Sequence, residues 1–159
     1  MNRAQQHARN RDDWETPPEF FAKVNEYFRF DFDGAASDGN HLCDRWTQNI
    51  QQDGWPVGWV TIWCNPPYSD KAPFLRLAAS GTRRSVCMLL PASTDTAWFH
   101  DLVAPNASQL AFIRGRLQFL LGGKRPVNSG GKLTGNTGGS LLAVFGEPLL
   151  GVGPWWIAK

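Results

Sequence analysis

Charge of one sign, paired cysteines and long apolar runs are all missing from this chain of 159 residues. Sixteen Lys and Arg stand against fourteen Asp and Glu, a net charge of +2, so the total charge names no nucleic-acid partner by itself. Local clusters matter more: Arg3, Arg9 and Arg11 at the start, and Arg114, Arg116, Lys124 and Arg125 later. Three cysteines, Cys43, Cys64 and Cys87, are odd in number and form no C-x-x-C pair. That argues against a disulfide framework or a zinc ribbon and suits a reducing compartment. His41-x-Cys43 lacks two further ligands at a suitable spacing, and no metal is expected. No run of about 18 uninterrupted apolar residues occurs, and Met1 to Asp13 is polar, so neither a membrane span nor a secretory signal is expected and the expected address is the cytoplasm. Gly131-Lys132-Leu133 lacks the earlier glycine and the following Ser or Thr of a phosphate-binding P-loop, which leaves ATP binding unsupported.

What is present is an ordinary core allowance, 42% hydrophobic against 19% charged residues, too apolar for a disordered chain and too short for a two-domain enzyme. Eight Trp, ten Phe and two Tyr serve either a core or the stacking of flat ligands such as nucleobases. Residues 1–13 read as a flexible polar tail or a DNA-touching arm, with one domain from Trp14 to Lys159. Thr16-Pro17-Pro18-Glu19 has the form of a capping box opening a helix, and Phe20, Phe21, Val24, Tyr27 and Phe28 follow at helical spacing. Arg29 to Asp33 alternates as a strand does and runs into the small-residue turn Gly34 to Gly39. Val57 to Cys64 and Ser85 to Leu90 read as buried strands, Asp70 to Ser80 and Thr94 to Val103 as helices, and Gln109 to Ile113 and Leu141 to Phe145 as further strands. Strand and helix alternate, which predicts an α/β domain with a mostly parallel sheet flanked by helices. Gly122 to Gly139 holds seven glycines and reads as a long surface loop.

The most informative segment is Asn65-Pro66-Pro67-Tyr68, directly after a buried strand, where open α/β sheets place their ligands. Two prolines fix an extended turn, so that the Asn65 side-chain oxygen and the Pro66 carbonyl can point into one small space as adjacent acceptors. Two acceptors suit one NH2 group, and Tyr68 can lie against the planar ring that carries it. The segment reads as a clamp for an exocyclic amine.

Asn-Pro-Pro-Tyr in this context resembles the catalytic motif of amino-methyltransferases that use S-adenosylmethionine. Trp14-x-Thr16-Pro17-Pro18, Asp33-x-Ala35-Ala36-Ser37, Trp63 to Ser69, Leu90-Pro91-Ala92-x-Thr94-Asp95-Thr96-x-Trp98-Phe99 and Gly115-Arg116-Leu117-x-Phe119 together resemble the small phage-type DNA N6-adenine methyltransferases, the Dam-like family, from about Trp14 to Phe145. The resemblance implies a reduced Rossmann-like methyltransferase fold, methyl transfer from S-adenosylmethionine to adenine N6 in double-stranded DNA, and a phage or prophage origin. It implies catalytic roles for Asn65, Pro66, Pro67 and Tyr68. It places Trp14, Thr16 and Pro17 near the cofactor's carboxylate, Asp33 and Ala35 in the first cofactor motif, Asp44 at the ribose and Asp53 at the cofactor's adenine. Gly34-Ala35-Ala36 stands where the family has G-x-G, and the stretch between Gly39 and Val57 is short for a whole strand-helix unit. Arg114, Arg116, Phe119, Lys124 and Arg125 are the expected DNA contacts.

Each assignment has a plainer counterpart. Thr16 is explained equally by the capping box, Asp33 by a turn aspartate and Phe119 by the core, and the Trp residues at 46, 55, 98, 155 and 156 suit packing. Adenine N6 is a poor nucleophile because its lone pair is delocalised, and acceptors aimed at the charge developing on it stabilise the transition state without an early general base. The base must first leave the duplex stack. The same clamp would serve RNA adenine, cytosine N4 or protein glutamine, and an idle cofactor- or DNA-binding module is the remaining alternative. A monomer or weak dimer is expected.

Overall fold

Proline at its first position and Glu19 in its first turn open helix α1, Pro18–Phe28, both favourable at a helix N-terminus. The computed structural model describes residues 12–58, 60–81, 85–128, 130–131 and 136–148. The arginines at 3, 9 and 11, Trp155 and Trp156, Lys132 and part of the 122–139 segment lie outside the described residues, as do residues 1–11 of the expected tail. The capping box does not form. The residue that caps α1 is Pro17, which has no side-chain hydroxyl, and no side-chain cap hydrogen bond is made. Phe20, Phe21, Val24 and Phe28 are buried, whereas Tyr27, expected on the same face, is 58% exposed. Arg29 ends the helix in the left-handed region at φ 52°, its N–H donating to the Asn25 carbonyl at 2.9 Å. That cap shortens the following strand, so β1 is only Phe32–Asp33.

Strand β2 is Thr61–Cys64, shorter than the apolar run suggested because Val57 is 93% exposed and Gly58 turns the chain at φ 100°. Between β1 and β2 a single helical turn, α2 at Ile50–Asp53, is capped by Asn49, whose side chain accepts from the Gln52 N–H. An isolated parallel bridge, Asp33 to Trp46, takes the place of a full strand there. Helix α3, Ala72–Ala79, leads to β3, Ser85–Pro91. The expected helix at 94–103 is a π-helical turn over Phe99–Val103, closed by the Ala104 N–H on the Phe99 carbonyl at 2.8 Å. Strands β4, Ala107–Phe112, and β5, Ser140–Phe145, complete the sheet.

The strand order is β1-β2-β3-β5-β4. β1, β2 and β3 pair in parallel. β5 is antiparallel to both β3 and β4, so four strands run one way and β5 alone is reversed between β3 and β4. The class is the expected α/β, with helical crossovers up to β4. The return through the glycine-rich segment carries no helix among the described residues, and that return sets β5 antiparallel. All six residues of β5 are buried, as a strand covered on both faces requires. Alternation along the strands divides the core. Ile62, Cys64, Val86, Met88, Leu90, Leu141 and Ala143 pack with Phe74 and Leu75 of α3 and with Phe99 and Val103. Trp63, Cys87, Leu89, Leu142 and Val144 pack with α1 and with Leu117 and Phe119. Gly34, just after β1, is required by contact, since a Cβ there would lie 2.3 Å from the Trp55 ring. Among the described residues no helix is long and apolar enough to cross a membrane, and no three His, Cys, Asp or Glu side chains gather to hold a metal ion.

Candidate active site

Parallel pairing of β1 with β2 brings Asp33 beside Trp63, so the two strands end together and release Asp33 and Asn65 at the same edge, where an open α/β sheet binds ligands. A cleft of about 350 Å3 opens there, lined by Trp14, Thr16, Asp33, Ala35, Asn65 and Pro67 among others. The Asp33 carboxylate is 2% exposed. One oxygen accepts the Ala35 N–H at 3.3 Å and the other the Leu42 N–H at 3.1 Å. Burial pushes its pKa up to about 6 in spite of those two N–H groups and the nearby His41, because desolvation of the charged form outweighs them.

Asn65 follows β2 because Pro66 and Pro67 offer no N–H to continue the ladder. Its side-chain Nδ2 donates to the Trp14 carbonyl at 2.9 Å, whereas its Oδ1 is buried with no partner. The Thr16 hydroxyl, expected in the capping box, is also buried and unpartnered, in a residue 5% exposed. Unpaired buried polar atoms cost about 1–3 kcal/mol each, and two of them line one cleft, where a ligand can satisfy them.

Trp14 also lines a second cleft of about 330 Å3, together with Tyr68, Lys71, Ser93, Trp98 and Asn136. The Lys71 ammonium donates to the Tyr68 carbonyl at 2.7 Å and sits 4.8 Å from the centre of the Trp98 ring. The Tyr68 ring meets Trp14 edge-on at 6.2 Å and Phe119 at 5.9 Å. Burial raises its phenol pKa, and its hydroxyl is buried without a hydrogen-bond partner. Trp14 thus lines both clefts, Asn65 the first and Tyr68 the second.

The remaining sequence-predicted residues divide. Pro66 is buried and lines neither cleft. Pro17 lines a separate groove with Glu19, Phe20, Lys23 and Arg125. Asp44 and Asp53 do not line the cleft either. Asp53 ends α2 and takes the Thr47 hydroxyl, which directs its carboxylate back toward its own loop. Ser37, Asn40 and Gln48 line the cleft instead, the Asn40 side chain accepting the Ser37 N–H at 2.8 Å. Ser37 belongs to the family-like segment after Asp33 and forms a Ser-x-x-Asn turn with Asn40, whereas Gln48 carries no such signal. Phe119 is corrected from a DNA contact to a core residue, because it is 1% exposed and stacks under Trp14 at 5.0 Å and 16°. Arg114, Arg116, Lys124 and Arg125 are exposed. Lys124 ends a tight turn bridged to Leu121, in which Gly122 and Gly123 have φ of 57° and 72°, the left-handed pair that a type I′ hairpin turn needs.

Residues 12 and 13, expected in the polar tail, belong to the site. Asp12 accepts the Ser69 N–H at 2.8 Å and the Ser69 hydroxyl, and both Asp12 and Asp13 line the first cleft.

A family model described as DNA N-6-adenine-methyltransferase (Dam) matches residues 3–150. The chain is similar to the DNA N-6-adenine-methyltransferase of Escherichia phage T1, 32% identical over 125 residues that cover 75% of this chain and 52% of the phage protein. It is also similar to the DNA N-6-adenine-methyltransferase of Haemophilus phage HP1 (strain HP1c1), 32% identical over 120 residues, 70% of this chain and 68% of that one. The chain therefore spans about half the length of the first relative and about two thirds of the second.

Proposed function

We propose that this chain, which belongs to the DNA N-6-adenine-methyltransferase (Dam) family, methylates the N6 amine of adenine in double-stranded DNA with S-adenosylmethionine as donor. The observation that carries the reading is the Asn65 amide, anchored by its nitrogen to the Trp14 carbonyl, with its oxygen buried and unpaired in a residue that lines the cleft. The cleft fits the cofactor in size, about 350 Å3 against roughly 300–1,000 Å3 for small-molecule sites, and in chemistry. Asp33 would hold the ammonium group, the unpartnered Thr16 hydroxyl the carboxylate, and Ala35 would allow close backbone approach. When bound, S-adenosylmethionine supplies a methyl group on a positively charged sulfur, an activated electrophile.

The chain's own residues then act on the amine. Asn65 Oδ1 accepts an N–H group of N6 and favours the positive charge that develops there, an electrostatic stabilisation already organised before reaction. The methylated N6 then loses its extra proton to solvent water, so no side-chain base is required. Tyr68 and the second cleft receive the extruded base, and stacking worth roughly 1–3 kcal/mol offsets a flipping cost of a few kcal/mol. Arg114, Arg116, Lys124 and Arg125 provide the phosphate-facing surface. The phage sources of both relatives support a phage or prophage enzyme.

The test is incubation with methyl-labelled S-adenosylmethionine and unmethylated DNA, followed by nucleoside mass spectrometry. N6-methyladenine is expected with the wild type and is lost by at least about a hundredfold in Asn65→Ala, with cofactor binding largely retained. A single-turnover rate kept by Asn65→Ala would overturn the amine clamp. N4-methylcytosine in place of N6-methyladenine would change the substrate base.

A further inference from the structure

Residues 12–16 cross the front of the site as a strap held on both sides. At one end Asp12 is bound to Ser69, one residue beyond Tyr68. In the middle the Trp14 carbonyl takes the Asn65 amide nitrogen at 2.9 Å. At the other end the backbone of Glu15 pairs with Leu120 in both directions, at 2.9 and 3.0 Å. The Glu15 carboxylate does more: its two oxygens separately accept the Gly122 and Gly123 N–H groups, each at 2.9 Å. Four hydrogen bonds therefore hold Glu15, two to Leu120 and two to the turn that ends in Lys124.

A primary amide has an accepting end and a donating end, and only the donating end is attracted to a carbonyl. The Trp14 carbonyl thus decides which end of Asn65 remains for the cleft. With the carbonyl in place, Oδ1 faces the substrate amine. With it displaced, the amide is free to turn and offer its NH2 group to an amine that needs acceptors. Trp14 presents that carbonyl through its backbone, so no side-chain change at Trp14 alters it directly. Its position is set by the neighbouring residue, and Glu15 is the neighbour tied down by charge-assisted hydrogen bonds.

We propose that Glu15 is a positioning residue for the reaction: its carboxylate clamps the Gly122–Gly123 turn and, through the Trp14 carbonyl, holds the Asn65 amide with its oxygen toward the substrate. The turn carrying Lys124, on the proposed DNA face, and the reacting amide are thereby one mechanical unit. The catalytic half of this inference rests on the methyltransferase reading above, whereas the orientation half does not.

The experiment compares full-length wild type, Glu15→Gln and Glu15→Ala. Steady-state methylation of duplex DNA gives kcat and KM, calorimetry gives S-adenosylmethionine affinity, and 15N–1H spectra follow the Gly122 and Gly123 backbone amides and the Asn65 side-chain amide. Glu15→Ala is expected to lower kcat by about ten- to a hundredfold, the scale of a small misplacement at a reacting centre, with cofactor affinity and KM within about twofold, to speed exchange of both glycine amides, and to shift the Asn65 amide resonances. Glu15→Gln keeps one accepting oxygen and the same length, so it should recover most of kcat and protect one of the two glycine amides, a graded rescue that a purely space-filling role would not give. It also keeps the test intact should Glu15→Ala fail to fold. Unshifted Asn65 resonances in both variants overturn the proposal, as does a kcat unchanged by a variant whose glycine amides have been released. If the wild type methylates no DNA, the functional reading falls while the Asn65 resonances still decide whether Glu15 orients the amide.

Discussion

Replacing Asp33 by asparagine removes a buried carboxylate while nearly preserving its shape, and the structure sets the size of the effect. The carboxyl is raised from its ordinary 3.8 to about 6, which at about 1.4 kcal/mol per pH unit amounts to roughly 3 kcal/mol. A group whose pKa is higher in the folded state contributes stability that is fully present below its unfolded value and lost as pH rises through the folded one. The wild type therefore carries no such cost below about pH 3.8, meets it progressively up to about 6, and bears all of it above. Asp33→Asn escapes that cost at every pH. It also forfeits one acceptor, because a single amide oxygen must serve the Ala35 and Leu42 N–H groups that two carboxylate oxygens now serve, at about 1–3 kcal/mol. The variant is thus expected to be less stable than wild type near pH 4 and equal or up to about 2 kcal/mol more stable near pH 8. Urea unfolding of both proteins across that range measures the difference directly, with other titrating groups cancelling. A difference that stays constant with pH would refute the raised carboxyl. The same titration governs the proposed cofactor: the ionised carboxylate attracts the ammonium group, so affinity should rise about tenfold per unit up to about pH 6 and then level off. In Asp33→Asn it should be weak and flat across the same range.

Two further expectations concern aromatic support and charge. Phe119→Ala removes a ring that is 1% exposed beneath Trp14 and beside Tyr68, so unfolding experiments should show a loss of about 3–5 kcal/mol; a loss below about 1 kcal/mol would contradict its place in the core. Lys124→Ala combined with Arg125→Ala should weaken DNA binding and reduce the slope of log affinity against log salt by close to two, at about 0.9 per lost phosphate contact. An unchanged salt series would remove this turn from the DNA face.

Local pattern in the sequence was enough for the elements whose signal is local. The apolar runs became β2, β3 and β5, the Pro-Glu start and the spaced Phe and Val residues became α1, and Asn65-Pro66-Pro67-Tyr68 stands where a strand must stop. Asp33, Ala35 and Thr16, which the family resemblance implied, line one cleft with Asn65. Where residues compete for the same description, the sequence was silent. Phe119 is apolar on either reading, and only packing against Trp14 placed it inside. Asp53 has a carboxylate fit for a ligand, and only its bond to the Thr47 hydroxyl turned it away. The reversed position of β5 and the strap at residues 12–16 were equally out of reach. Trp14 meets Asn65 across 51 positions and Glu15 meets Gly122 across 107. Hydrophobic period, caps and turn residues act over a few neighbours along the chain and so are written in short windows of sequence. The orientation of the Asn65 amide depends on a carbonyl that only the folded chain brings beside it, so the residue was determined by the sequence and its readiness to accept an amine by the tertiary structure.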